Sequence, residues 1–296
     1  AGLPDARVDK IHQPSREELI VSLRHRGGTE KLYLSARANS PRVHFTDITL
    51  ENPASPPMFC MLLRKRLTGG RLTEIRQEGL ERALYFTFEC LNELGDRVLL
   101  TLAVEIMGRH SNIILIDQEG LVVDAIKRVD VEMSSVRPVL PGLRYSPPPA
   151  AAGRLDLSRS EPEGFLPALS RGKNEPLSKA LLSTAHGLSP LICREASHYA
   201  CRGRDTAAHE LGEEEKDRLL FFLRRIRAAI LTGEKRVPYF LYRSDGTPLD
   251  FSFVPIAQYG LSAVGREMES FSVLLDAFYA QRDAAERSRQ RAHDML

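Results

Sequence analysis

Three short stretches carry residues whose types and spacing could do chemistry. Asp96-Arg97 follows Asn92-Glu93-Leu94-Gly95, at a turn that leads into an apolar run. An Arg there can grip a phosphate through its fork of N–H donors, oriented by its acidic neighbour. Turns on a rigid scaffold commonly display functional side chains. The alternative is an exposed pair worth about 0–1 kcal/mol. The second stretch, 177–200, reads as helix, Gly187-Leu188-Ser189-Pro190, helix. Gly187 permits a tight corner, Ser189 caps the second helix, and Pro190 opens it. Such a helix-hairpin-helix can hold a phosphate on backbone N–H groups without reading a base. A plain corner between packed helices fits the same spacing. The third stretch is the basic cluster Arg64-Lys65-Arg66, followed by Arg71, Arg76 and Arg82. It would attract a polyanion locally, although Glu74, Glu78 and Glu81 dilute it and a solvated helix face is the alternative.

Other chemistry finds less support. His110, within Gly108-Arg109-His110-Ser111-Asn112, is of the residue type that serves as a general base. No nucleophile or carboxylate stands at a recognised spacing from it. A structural loop, with Ser111 and Asn112 bonding the backbone, accounts for the same residues. The sequence has no Walker A loop, no GxGxxG, no HExxH and no nucleophile elbow, which argues against a stand-alone enzyme. Cys60, Cys90, Cys193 and Cys201 are widely and unevenly spaced, so neither a zinc site nor a disulfide framework is expected. Reduced, mostly buried thiols in a cytoplasmic protein are expected instead, with no cofactor and no metal.

These residues need elements to position them. The first half is β-rich, with strands expected near 7–12, 19–23, 31–35, 43–48, 72–76, 83–90, 98–107, 112–117 and 121–126. Their short spacing points to a sandwich or a strongly bent sheet. One helix interrupts them at 58–67, framed by Pro56-Pro57 and Gly69-Gly70, with its cations in the last turn. A stretch rich in Pro and Gly from 138 to 164 marks a linker or a long surface loop. Helices follow at 177–185, 190–200 and 213–231. A hairpin at 237–243 and 249–254, around Ser244-Asp245-Gly246-Thr247, is expected to return to the first sheet. The helix from 270 onward turns almost wholly polar after Tyr279, which suits the start of a coiled coil.

The expected class is therefore α+β. Residues 1–150 form a β-rich domain, 151–175 a linker, and 176–235 a helix-hairpin-helix domain. Residues 236–268 return to the first domain, and 269–296 start a coiled coil. Length and composition agree. The 296 residues are 43% hydrophobic and 27% charged, with 41 Lys and Arg against 39 Asp and Glu and a net charge of +2. That excludes wholesale disorder and a uniformly basic nucleic-acid binder, but leaves room for a local basic face. No stretch approaches the roughly 18 apolar residues that span a bilayer, so no membrane partner is expected. The start carries no signal-peptide pattern and no initiator Met, which points to a processed chain or a fragment.

Longer stretches carry a family resemblance. "RVDKIHQPSREELIVSLR" (7–24), "NPASPPMFCMLLRKRLTGGRL" (52–72), "NELGDRVLLTLAVEIMGRHSNIILID" (92–117) and "LPGLRYSPPP" (140–149) resemble the NFACT family. "LSKALLSTAHGLSPLICREASHYA" (177–200) is similar to that family's helix-hairpin-helix segment, and "FYAQRDAAERSRQRAHDML" (278–296) to the start of its coiled coil. The resemblance runs in order over nearly the whole chain. It implies an N-terminal domain like that of formamidopyrimidine-DNA glycosylase, a β-sandwich with flanking helices. The glycosylase chemistry would be lost, in keeping with the missing zinc cysteines and the lack of Pro at position 1. It implies a ribosome-associated quality-control factor, not an enzyme. The expected partners are tRNA, above all alanine tRNA, and a stalled large ribosomal subunit that still carries peptidyl-tRNA. There the ribosome adds an alanine tail to the nascent chain. The family's tRNA-binding Asp-Arg pair matches Asp96 and Arg97. Arg64, Lys65, Arg66, Gly187, Leu188 and Ser189 would contact RNA phosphates more weakly. The family usually opens with Met, an Ala-Leu-Asp-Gly-like stretch and a helix. This chain begins after them, near "GLPDARVDK", and stops where the coiled-coil arm starts.

Two rival functions remain at this stage. Older names in the family suggest a surface adhesin that binds fibronectin. Fold likeness alone suggests a DNA-repair glycosylase.

Overall fold

A computed structural model describes residues 3, 5–171 and 174–294, with side chains described as far as 285. The chain divides into two compact units. One takes the residues up to Glu78 together with Arg82–Pro149; the other takes Gly79–Glu81 together with the residues from Ala150 onward.

The first unit is built on one antiparallel sheet of nine strands. They are β1 (Arg7–Ser15), β2 (Glu18–His25), β3 (Gly28–Ser35), β4 (Arg42–Phe45), β5 (Arg71–Arg76), β6 (Ala83–Leu91), β7 (Arg97–Glu105), β8 (Asn112–Ile116) and β9 (Val122–Ala125). Their order is β4-β3-β2-β1-β5-β6-β7-β8-β9. Long registers hold β6 to β7 and β2 to β3. The seam is different: β1 and β5 meet at the single pair Arg7 and Arg71. Side chains from both halves, Ile11, Val21 and Leu34 from one and Phe86, Phe88 and Leu102 from the other, share one core. The expected strands thus join in one large antiparallel sheet whose two halves meet at that seam. Helix α1 (Met58–Leu67) adds Phe59, Leu63 and Leu67 to this core. Each fully buried side chain of this kind contributes about 1.5–3 kcal/mol. The opposite face of β6–β9 is covered by the segment around Val129, Val139 and Tyr145.

In the second unit β10 (Leu155–Asp156) and β11 (Ala185–His186) form a short parallel pair. Around it pack α2 (Phe165–Ser170), α3 (Leu177–Thr184), α4 (Pro190–Ala200) and α5 (Glu213–Thr232). Two corrections arise here. The expected linker at 151–175 is packed structure where it is described, because Leu157, Phe165 and Leu169 are buried in the helical core. The hairpin of β12 (Tyr239–Arg243) and β13 (Pro248–Ser252) does not return to the first sheet. It pairs with β14 (Ala263–Glu267) in a three-stranded sheet of its own. The backbone donors and acceptors of β12 are met on both sides within that sheet. Helix α6 (Phe271–Asp294) packs Leu274 and Phe278 against Phe240. The expected coiled-coil residues after 285 lie outside the described side chains, and 295–296 outside the described residues. All four cysteines are free and buried. Among the described residues no helix is long and apolar enough to cross a membrane.

Candidate nucleic-acid interface

Strands β6 and β7 pair to their ends, with Leu91 opposite Arg97, and residues 92–96 close the hairpin. Asn92 organises that turn. Its Oδ1 accepts the N–H of Leu94 at 3.0 Å and of Asp96 at 2.8 Å. Its Nδ2 donates to Asp96 Oδ2 at 3.2 Å. Asn92 N–H also donates to the Asp96 carbonyl at 2.9 Å, and Gly95 N–H to the Asn92 carbonyl at 3.0 Å. Gly95 has φ +86°, a conformation that costs other residues more. Local side-chain bonding of this kind is what Asn brings to turns.

Asp96 and Arg97 are both exposed. The expected pairing between them is corrected: the Asp96 carboxylate is held by Asn92. Arg97 has no hydrogen bond or ion pair among the described residues. Its guanidinium is a charged fork left to solvent at the start of a strand.

The C-terminal turn of α1 lies beside this hairpin. Lys65 Nζ meets Glu93 Oε1 at 2.5 Å, and this contact holds the Glu93 carboxyl below the usual range. Both side chains are exposed, so the pair contributes little to stability. Arg64 is used structurally. Its Nε donates to the Ile11 carbonyl at 2.8 Å, and its charge, after burial, keeps the His12 pKa low. Lys65 and Arg66 line a groove of about 500 Å³ with Asn92, Glu93 and Leu94. A smaller recess of about 270 Å³ beside the β6–β7 ends is lined by Arg7, Glu89 and Arg97. Arg71 reaches Glu89 at 3.3 Å and Asp5 at 2.7 Å, so Glu89 is already neutralised. Lys65 and Arg66 thus line one groove and Arg7 and Arg97 the other, and the acidic side chains that line them, Glu93 and Glu89, are each engaged by a cation. Such a lining suits a polyanion such as a phosphate backbone.

His110 lies in a short 3₁₀ turn, where Arg109 Nε donates to its Nε2 at 3.1 Å. Ser111 Oγ accepts the Met107 N–H at 2.8 Å, and Asn112 bonds Lys127 through both its amide atoms. That stretch is the structural loop. Among the described residues no group of His, Cys, Asp and Glu could hold a metal ion.

The residues 187–189 belong to the second unit. Gly187 has φ +79°, and a Cβ there would stand 2.3 Å from Leu80 Cβ, so Gly is required twice over. Ser189 Oγ accepts the Ile192 N–H at 3.2 Å and caps α4. Pro190 has no N–H, and Leu188 is buried. The first turn of α4 thus keeps few open donors, as Ser189 and Pro190 lead one to expect. With Phe253 and Phe271 these residues border a mainly apolar cavity of about 520 Å³. That lining gives a phosphate less than the first unit's groove does.

Sequence reasoning missed the roles of Asn92, Glu93 and Arg7. The signal for Asn92 was present, since Asn followed by Gly95 and Asp96 between two apolar runs is turn chemistry.

The comparisons with known proteins agree with one another. The family model for NFACT N-terminal and middle domains matches residues 1–296. A protein of Bacillus subtilis named Rqc2 homolog RqcH is 38% identical over 294 residues, covering 98% of this chain and 48% of that protein. The chain spans about half the length of the curated relatives it matches in full. Two solved structures are similar. One is described as the fibrinogen binding protein from Staphylococcus aureus, at TM-score 0.76 and 27% identity, over 94% of this chain and 93% of that one. The other is the N-terminal part of the fibronectin/fibrinogen-binding protein from Streptococcus suis, at TM-score 0.71 and 31% identity, over 94% and 93%.

Proposed function

The chain belongs to the NFACT family, and from that premise we propose that it is the tRNA-binding part of a ribosome-associated quality-control factor. In this reading Arg97 takes a phosphate or a base edge of tRNA, and Asp96 accepts a base donor with the oxygen that Asn92 leaves open. Lys65 and Arg66 add attraction that is independent of sequence. Arg64 acts one step back, by fixing the end of α1. The hairpin at Gly187, Leu188 and Ser189 is a weaker phosphate contact. The whole protein would hold alanine tRNA on a large subunit that carries peptidyl-tRNA, in the cytoplasm. Alanine tailing would be catalysed by the ribosome, so this chain is a binding protein and needs no cofactor.

One observation carries the reading: the Arg97 side chain stands exposed, without a hydrogen bond or ion pair among the described residues, at the end of a turn that five hydrogen bonds hold, where it lines a recess with Arg7. The test is to purify the tagged full-length protein from cells and sequence its bound RNA. The wild type should retain tRNA, and Arg97→Ala should lose most of it while remaining folded. Equal tRNA recovery from both would reject the role of Arg97. A second reading, binding of fibronectin or fibrinogen, rests on the names of the two solved neighbours. Surface-immobilised fibronectin and fibrinogen provide its test, with no dependence on Arg97 expected.

A further inference from the structure

Helix α5 buries one stripe, Leu219, Phe222, Leu223 and Ile226. Phe221 lies off that stripe and is 49% exposed, so the core does not explain it. Its ring stacks on Tyr199, the penultimate residue of α4, with centroids 6.1 Å apart and planes 20° apart. Tyr199 is backed in turn by Phe222 at 5.7 Å. The two helices are tied at this point, because Arg218 Nε donates to the Ala200 carbonyl at 2.7 Å. The aromatic pair is therefore a fixed surface whose outer ring, Phe221, stays half-exposed.

A cation stands over its outer ring. The Arg225 guanidinium lies 5.9 Å from the Phe221 ring centroid, one helical turn further on. Arg202 follows Tyr199 by three residues at the end of α4, in a left-handed conformation with φ +51°. Both are exposed, and among the described residues neither makes a hydrogen bond or an ion pair. The acidic residue on the same face is Asp217, one turn before Phe221; Glu214 is engaged by Arg218 at 3.4 Å.

A half-exposed aromatic pair with a guanidinium over its outer ring, and a second exposed arginine three residues after Tyr199, matches a base and its phosphates. Stacking supplies affinity without sequence readout, and a guanidinium can lie over a ring or bind the backbone. We propose that Tyr199, Phe221, Arg225 and Arg202 form a stacking platform for an unpaired base of RNA, a contact in the second unit additional to the groove in the first. The inference rests on the RNA-binding reading above and deepens it.

The chain contains no Trp, so Phe221→Trp makes the sole indole a reporter at the site. The probes are an unstructured oligoadenylate and inorganic polyphosphate of matched charge. The expected result is saturable quenching by oligoadenylate and none by polyphosphate. Phe221→Ala should weaken oligoadenylate binding about 5- to 100-fold, and Arg225→Ala should weaken it severalfold. Tyr199→Trp serves as the reporter if the first variant does not fold. Equal quenching by polyphosphate, or a silent indole with oligoadenylate bound by anisotropy, would overturn the platform. Unchanged RNA affinity of Phe221→Ala would also overturn it and assign the surface to a protein partner. Transfer RNA binding by the same variants separates the two failures. If tRNA binds through Arg97 while the indole stays silent, the platform alone is wrong; if no tRNA binds, both readings fall.

Discussion

Asn92→Ala removes the side chain that shapes the candidate site and touches no ligand in the proposed complex. It deletes three side-chain hydrogen bonds: those accepted from Leu94 and Asp96, and the one donated to the Asp96 carboxylate. Each intramolecular bond is worth about 0.5–1.5 kcal/mol net, and exposure places these at the low end. The sum is about 1–2 kcal/mol of local order. Affinity falls by the fraction of molecules in which the turn is formed. Since about 1.4 kcal/mol is tenfold, the expected loss of tRNA affinity is measurable and reaches at most about 5- to 30-fold. Global stability should hardly change, because the turn is exposed and buries no core residue. Fluorescence anisotropy with labelled tRNA across a salt series reads both affinity and slope. Asn92→Ala should keep the wild-type slope, since no phosphate contact is lost, whereas Arg97→Ala should reduce it by about one. Wild-type affinity for Asn92→Ala, or a slope reduced as in Arg97→Ala, would refute the positioning role.

Two further outcomes are expected. Glu105 is fully buried and is gripped by Arg137 at 2.9 and 2.5 Å and by the Tyr145 hydroxyl at 2.8 Å. Arg137→Ala would strand that carboxylate and cost about 3–5 kcal/mol in urea unfolding, with Glu105→Gln milder; a loss under about 1 kcal/mol would contradict this. Burial pushes the Asp250 carboxyl above its ordinary 3.8, only partly offset by the Phe251 N–H and the Arg194 charge. A raised carboxyl favours the folded state while protonated and loses that contribution as pH rises through its folded value. Asp250→Asn should therefore raise the urea midpoint at pH 7, and the gain should shrink as pH falls towards 3.8; a lowered midpoint at pH 7 would show the opposite sign.

Much of the fold was legible from local signals. Helix α1 begins and ends where Pro57 and Gly69-Gly70 say it should. The strands of the first unit follow their β-branched and aromatic runs; β6 gains Leu91, and β7 gains Arg97 but stops at Glu105, two residues short of the expected end. The misses were non-local. Strand β14, Ala-Val-Gly-Arg-Glu, is exposed along most of its length and has no alternation to reveal it. Its pairing with β12 gives the later hairpin a sheet of its own. Helix α2 holds a Pro within six residues, and only the burial of Phe165 and Leu169 shows that it belongs to a core. At the site, the sequence identified Asp96 and Arg97 but paired them with each other. Asn92 wins the Asp96 carboxylate because the turn brings its amide to 3.2 Å, a fact of three-dimensional closure that adjacency along the chain does not show.

The most direct measurement is tRNA binding by this chain with alanine tRNA, a non-cognate tRNA and duplex DNA side by side, for the wild type, Asp96→Ala and Arg97→Ala. Binding of tRNA that exceeds binding of duplex DNA, and that falls in both variants, is the predicted result. Equal, weak binding to all three nucleic acids that neither substitution alters would contradict the placement of tRNA recognition in the turn between β6 and β7.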